Sequence, residues 1–369
     1  MSSARRIMVG AVPVGGGAPV SVQSMTCTHT GDADATLAQV RALAAAGCEI
    51  VRVSLPTDEE APAFARIVRE APPLPESGGG PSGVSRGAPV PIIADVHYDW
   101  RLALAAVQAG AAGIRINPGT MAEQHVHEIV DAAAAASAAI RIGVNAGSLP
   151  KDLRAKAESR PAEALVEAAL RWAARFDDWG FRAYKLSVKS SSVPDTLAAY
   201  RLLAERSDAP LHVGVTEAGT VWSGTIKSAV GIGTLLAEGI GDTIRVSLTG
   251  DPVEEVRVAW KILAALGLRR RGPEVISCPT CGRTEVDIVN LAEEVERRLG
   301  SDPALAGRAI SVAVMGCRVN GPEEARHADY GIAAGAGEGV LFDHGERVAT
   351  LPERQLLDAL LDLVRGSAD

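Results

Sequence analysis

The sequence predicts a (β/α)8 (TIM) barrel followed by a small α+β module. Three observations lead there: a strand–helix pattern repeated eight times between about residue 21 and residue 267, a basic Gly-Pro break at 268–273 (LRRRGP), and three cysteines confined to the segment after that break. Strands alternating with helices require parallel crossovers, and eight such units suit a closed barrel. A doubly wound open sheet is the alternative. It would normally carry a glycine-rich phosphate fingerprint after its first strand, whereas Gly15, Gly16 and Gly17 precede the first strand here.

Taken in order, residues 5–20 hold two short apolar pairs around Pro13 and predict a hairpin plugging the barrel floor. Strands follow at 21–25, 50–54, 92–96, 113–117, 140–144, 184–188, 211–215 and 242–248, each a short run rich in β-branched residues. Alanine- and leucine-rich stretches such as 99–109, 161–178 and 252–267 have helical composition. The Pro/Gly/Ser-rich segment 72–91 reads as a surface loop inside the second unit, and the alanine run 132–139 as bias within a helix. Beyond the break, a helix over 284–299, a strand over 310–316 and a terminal helix over 352–364 define the module. The expected domains are therefore 1–267, the substrate-binding barrel, and 268–369, the cysteine module.

Composition excludes several classes. At 369 residues the length allows two or three domains, and a 47% hydrophobic share argues against disorder. A net charge of −8 disfavours general nucleic-acid or membrane-surface binding. No apolar run reaches transmembrane length, and the N-terminal MSSARRIMVGAVPVGGG lacks the apolar core of a signal peptide. Five cysteines, an odd and low count, disfavour a disulfide framework and fit a cytoplasmic location.

Against that acidic background, basic residues recur inside the strands. Arg52, Arg115, Arg141 and Arg245 each stand between two apolar β-branched neighbours. Alternation puts those neighbours on the opposite face, and the outer face of a barrel must be apolar, so the arginines point inward. The same parity turns Lys185, Ser187 and Lys189 inward, with Asn117, Asn145 and Ser247 near the strand ends. Six cations in one lumen want an anion with several oxygens, because Asp95 and Glu217 neutralise only part of the charge. Thr26, Asp95, His97, Asn117, Asn145, Lys189, Thr216, Glu217 and Thr249 fall at C-terminal strand ends, where barrel active sites form. His97 shares a face with Asp95 and suits substrate hydrogen bonding, while Glu217 suits an acid/base role beside a cationic pocket.

The cysteines carry the rest. Cys278 and Cys281 (SCPTCGRTEVD) with Cys317 (VMGCRVNGPEEA) are one thiolate short of a closed zinc or iron–sulfur site. A cluster on three cysteines leaves one iron for another ligand. Glu324, seven residues after Cys317 across an Asn-Gly-Pro turn, is the candidate. Zinc is the competing reading, completed by His327, on a phosphate-binding barrel acting as lyase or aldolase. A non-catalytic redox or docking protein is the third. Cys48 reads as a buried small residue and Cys27 as a packing one.

With these residues in view, the chain resembles the bacterial 4-hydroxy-3-methylbut-2-enyl diphosphate synthases. The likeness runs nearly end to end, through VPVGGGAPVSVQSMT, ADVHYD, GIRINPG, IGVNAGSL, TEAG, ISCPTCGRTEVD and VMGCRVNGPEEA. It implies a TIM barrel joined to a domain with a 4Fe–4S cluster held by Cys278, Cys281, Cys317 and Glu324. It also implies a head-to-tail homodimer, flavodoxin or ferredoxin as electron donor, and 2-C-methyl-D-erythritol 2,4-cyclodiphosphate as substrate. By motif position, Glu217 and Asn320 become catalytic residues. Arg52, Asp95, His97, Arg115, Arg141, Asn145, Lys189, Arg245 and Ser247 become the substrate pocket. Carboxylate oxygen holds iron less firmly than thiolate, so Glu324 could yield its place to a substrate oxygen. Three departures stand out: Glu323 where the family usually has glycine, Arg318 for a small apolar residue, and an insertion-like loop at 76–90.

Overall fold

The computed structural model describes residues 3–74, 87–145, 149–302, 304–305, 308–317 and 319–366. Arg318 and most of the 76–90 loop lie outside the described residues, as do residues 146–148 of the IGVNAGSL motif. The chain divides into two compact units, one ending at Arg269 and the other running on from Arg270.

The first unit opens with an antiparallel hairpin, β1 (Arg6–Val9) and β2 (Val12–Gly15). Ile7, Val9, Val12 and Val14 pack on Ile50, Ile93 and Ala139, at or near the N-terminal ends of three barrel strands. The hairpin thus closes the barrel floor. Gly15 has φ 78, and a Cβ there would collide with the Arg5 carbonyl, so glycine alone fits.

Eight parallel strands follow: β3 (Ser21–Met25), β4 (Ile50–Ser54), β5 (Ile92–Asp95), β6 (Gly113–Ile116), β7 (Ala139–Asn145), β8 (Tyr184–Lys189), β9 (His212–Val213) and β10 (Thr243–Ile244). β3 to β8 pair in chain order, and β10 joins β3 to β9. A parallel bridge between Leu186 and Leu211 brings β8 round to the start of β9 and closes the ring. Outside it lie α1 (Ala33–Ala46), α2 (Ala61–Arg69), α3 (Trp100–Gln108), α4 (Glu123–Ala135), α5 (Lys151–Ser159), α6 (Pro161–Asp178), α7 (Val193–Arg206), α8 (Val221–Ala237) and α9 (Pro252–Ala265). Asp32, Asp99, Ser192 and Asp251 cap α1, α3, α7 and α9 by accepting a first-turn N–H. The outward strand residues Val51, Val53, Ile114, Ile116, Ile140 and Ile142 join Leu37, Val40, Leu102 and Leu165 in one core. Each such side chain contributes about 1.5–3 kcal/mol on burial.

The sequence misplaces a few boundaries. β9 and β10 are much shorter than 211–215 and 242–248; the Arg245 N–H still reaches the Val213 carbonyl, but the ladder does not continue to Leu248. The Leu248 N–H goes to the Glu255 carboxylate at 3.0 Å rather than to a strand. The alanine run does not stay helical: α4 stops at Ala135, Ser137 turns at φ 55, and Ala139 starts β7.

A buried ion pair fastens the end of this unit. The Arg269 guanidinium donates to both Glu49 oxygens at 2.8 and 2.9 Å and to the Val20 carbonyl at 2.6 Å, and stacks on Trp260. Removing one partner strands the other charge in the core, so Glu49→Ala should cost about 3–5 kcal/mol in urea unfolding. A change below about 1 kcal/mol would show that the pair anchors nothing.

The second unit is a five-stranded mixed sheet in the order β11 (Glu274–Ser277), β12 (Ser311–Met315), β13 (Tyr330–Ala334), β14 (Glu338–Asp343) and β15 (Glu346–Pro352). The first three strands are parallel and the last two antiparallel. α10 (Ile288–Ser301) and α12 (Glu353–Gly366) cover one face through Val295, Leu299, Leu356 and Leu360. The opposite face carries a smaller cluster, including Ala313, Met315 and Phe342. α10 starts at Ile288 rather than 284, because Thr284 and Glu285 are bonded into the cysteine turn. Among the described residues, no helix is long and apolar enough to cross a membrane.

Candidate functional site: a cationic barrel lumen and a cysteine edge

Strand parity turns the basic residues into the barrel. Asp95, Arg115, Arg141 and Lys185 are register neighbours across β5, β6, β7 and β8, and none is more than 6% exposed. Arg52 lies 3.6 Å from Asp95 and donates to the Met25 sulfur at 2.8 Å. Arg115 sits 3.4 Å from Asp95 and 2.7 Å from a ring nitrogen of His97. His97 itself is half-exposed, 3.6 Å from Asp95. Arg245 donates to Ser247 at 2.6 Å and to Glu255 at 3.1 Å. Lys189 is buried and in register with Asn145 at the end of β7. Two glycines make this crowding feasible. A Cβ at Gly143 would press on Arg115 at 3.1 Å, and one at Gly214 would meet the Lys189 amine at 2.7 Å.

Six cations face three buried carboxylates, Asp95, Glu255 and, beside Lys185, Asp242. Burial alone would push the Asp95 carboxyl up, but Arg52, the His97 contact, Arg115 and Arg141 outweigh it and hold the group well below the usual carboxylate range. The Arg141 guanidinium is driven well below its ordinary value, first by burial and then by Arg52 and Arg115. Its Nε and Nη1 have no hydrogen-bond partner among the described residues, nor does the Lys185 amine. Unpartnered buried donors of this kind call for an anion.

At the C-terminal mouth, Glu217 is exposed and held at φ 51, a left-handed conformation that glutamate rarely adopts. Strain of this sort gathers at functional sites. Thr26 and Asn117 are buried at the rim, and Thr216 is half-buried. Thr249 is exposed, its N–H on the Gly219 carbonyl.

Sequence reasoning missed three lumen contributors. Glu255, on α9, takes hydrogen bonds from Arg245, Ser24 and the Leu248 N–H, and so aims Arg245. Nothing in its local pattern marks it, because its partners come from β3 and from the segment after β10. Met25 offers only its sulfur. His212 was readable, since the parity that turned the arginines inward applies equally to β9.

The second constellation lies along one sheet edge. β11 and β12 run parallel, so Cys278 and Cys317 emerge from the same ends of neighbouring strands. The Gly316 N–H points at the Cys278 sulfur at 3.4 Å, and Gly316 is packed so tightly that a Cβ would press on Ile288 at 3.1 Å. Cys281 is exposed on a turn fixed by Thr284, whose hydroxyl accepts the Cys281 N–H at 3.1 Å. The N–H groups of Asn320, Gly321 and Val319, helped by Arg283, draw the Cys317 thiol below its ordinary value against a burial penalty. α11 (Gly321–Ala325) follows at once, with Glu323 and Glu324 exposed in its first turn. Glu323 pairs with Arg326 at 3.5 Å, while Glu324 has no ion-pair partner among the described residues.

Residues 4–260 match the GcpE TIM-barrel domain, and residues 274–366 the GcpE protein C-terminal domain. The chain belongs to the GcpE family. Relatives carry the name 4-hydroxy-3-methylbut-2-en-1-yl diphosphate synthase (flavodoxin). The one from Geobacter sulfurreducens is 54% identical over 358 residues, covering 97% of this chain and 96% of its own. Those from Salinispora arenicola and Aquifex aeolicus are 50% and 49% identical, covering 100% and 98% of this chain and 89% and 96% of their own.

The resemblance to this family implies an iron–sulfur cluster, and the cysteine edge fits one. A cubane takes each thiolate on a different iron, so its ligands need not crowd round one point. Among the described residues no three His, Cys, Asp or Glu side chains form a single-ion site. Instead, two thiols leave neighbouring strand ends with backbone N–H groups aimed at both, as an anionic sulfur cluster requires.

Proposed function

We propose that the chain is a reductive iron–sulfur synthase that converts 2-C-methyl-D-erythritol 2,4-cyclodiphosphate to 4-hydroxy-3-methylbut-2-enyl diphosphate. In that reaction two electrons and two protons enter, the ring opens at a carbon–oxygen bond to phosphate, and one oxygen leaves as water. The observation carrying this reading is the buried excess of unpartnered cations in a barrel whose family match spans nearly the whole chain. A phosphate-binding lyase or aldolase with a structural zinc is not favoured by that match.

In this account Arg52, Arg115, Arg141, Lys189 and Arg245 bind the diphosphate, with Asn145 and Ser247 completing its contacts. Fork-shaped guanidinium groups suit its paired oxygens, and a cavity already cationic needs little reorganisation on binding. Asp95 and His97 orient the substrate hydroxyls. Glu217, a carboxylate at the mouth, would move a proton at the reacting carbons, and Asn320 would act beside the cysteines. Cys278, Cys281, Cys317 and Glu324 would hold a 4Fe–4S cluster, which when bound supplies the electrons. Flavodoxin, named in the relatives, is the expected donor, with ferredoxin as the alternative; a head-to-tail homodimer and a cytoplasmic location belong to the same proposal.

Anaerobic turnover tests the function. The purified, iron-loaded protein with a strong one-electron reductant should convert the cyclic diphosphate to the allylic diphosphate, as read by mass spectrometry. Cluster-loaded protein that consumes no substrate would refute it. The fourth ligand has its own test. Arg326 pairs with Glu323, and Glu324 has no ion-pair partner among the described residues, so Glu324→Ala should keep a labile cluster and lose most turnover, while Glu323→Ala should be mild. The reverse ranking would move the ligand one residue earlier.

A further inference from the structure

Lys185 lies four residues before Lys189 on β8, deeper in the barrel than that residue and level in register with Arg141. It is 1% exposed, and its amine has no hydrogen-bond partner among the described residues. Its register neighbour is Arg141 from β7. The charged and titratable groups that act with it come from neighbouring elements: Arg141 from β7 and His212 from β9. The carboxylate that acts on it is Asp242, just ahead of β10. Asp242 is already committed, to the Ser3 hydroxyl at 2.6 Å and the Leu211 N–H at 2.8 Å. His212 is fully buried, with both ring nitrogens unpartnered among the described residues, and an imidazole, neutral or cationic, brings no counter-charge.

We propose that Lys185 adjusts the charge of the anion pocket, taking up a proton as the diphosphate binds and releasing it as the anion leaves. This rests on the reading that the lumen binds the diphosphate. The argument is electrostatic and geometric. In the empty barrel an ammonium at this position would be one more unpaired buried cation among several, so the neutral amine is favoured. A bound anion next to Arg141 reverses that preference, because it supplies the missing counter-charge within reach of the same residues. Burial, with Arg141 adding to it and Asp242 opposing, brings the amine down to about 7, so it is poised near neutral pH. The ligand cannot provide the titration itself. Each phosphorus of a cyclic diphosphate carries only one ionisable hydroxyl, which is strongly acidic, so the ligand's charge is fixed in this range.

The sign follows from linkage. Anion binding raises the Lys185 value above 7, so protons are taken up only above that pH. Affinity for the diphosphate should therefore weaken as pH rises, by up to about tenfold per pH unit, and flatten below about pH 7.

Isothermal titration calorimetry of the cyclic diphosphate into the oxidised, cluster-loaded protein tests this, using buffers of different ionisation enthalpy near pH 8. The wild type should take up close to one proton. Lys185→Met should bind more weakly, with no uptake and a flat pH profile. Lys185→Arg, which keeps the charge and does not titrate here, should also show no uptake, and it guards against a folding defect in the first variant. Binding by the wild type without uptake, or undiminished uptake in both variants, would overturn the proposal while leaving the diphosphate pocket intact. A wild type that binds no cyclic diphosphate at all would instead refute the pocket reading, and this proposal with it.

Discussion

Cys317→Ser should abolish both the visible absorption expected of the anaerobically purified protein and its turnover. The residue leaves the end of β12, a strand buried on both faces, so its sulfur cannot shift to compensate. Backbone N–H groups of Asn320, Gly321 and Val319 favour the thiolate there, and a serine hydroxyl stays protonated in the same place. Oxygen is also the harder, weaker ligand for iron in a sulfur cluster. Cys278→Ser and Cys281→Ser should behave alike. Cys27→Ser is the control: that thiol sits in the barrel unit, hydrogen-bonded to Gln39 at 3.2 Å, and its loss should leave the spectrum unchanged. Retention of a full cluster in Cys317→Ser would end the ligand assignment.

Arg141→Met separates binding from folding. Arg141 is 5% exposed, lacks partners for two of its nitrogens, and is crowded by Arg52 and Arg115. An apolar side chain of similar length removes a buried, uncompensated charge, so the variant should unfold at higher denaturant than the wild type. In the proposed pocket it would also remove a charge-assisted phosphate contact worth about 1.5–3 kcal/mol, so KM for the cyclic diphosphate should rise about tenfold or more. The cluster spectrum should not change. Lower stability with an unchanged KM would show that Arg141 is a structural cation rather than an anion ligand.

Much of this was legible in the sequence, for physical reasons that also set the limit. An arginine flanked by β-branched residues has one possible direction in a barrel strand, so the inward set could be read from parity alone. The three cysteines could be placed at strand ends and turns because Pro, Gly and an apolar run punctuate them. Glu255 was beyond reach, because its role comes from Arg245, Ser24 and Leu248 converging on it through tertiary packing. The early end of the last barrel strand shares that cause at Leu248, which gives its N–H to the Glu255 carboxylate rather than to a neighbouring strand. The late start of α10 reflects local competition: Thr284 and Glu285 have strong helical context yet bond to Cys281 and Gly316. The left-handed Glu217 is likewise invisible to pattern, because only the fold forces that backbone. The contrast between Glu323 and Glu324 needed Arg326 in place, one helical turn on.

The metal content of anaerobically purified protein tests the central claim most directly. Three thiolates and one carboxylate holding a cubane predict a brown protein with about four irons per chain, and iron lost in step with the cysteines on mutation. Colourless protein carrying about one zinc per chain would contradict the account and return the barrel to the class of metal-independent phosphate-binding lyases.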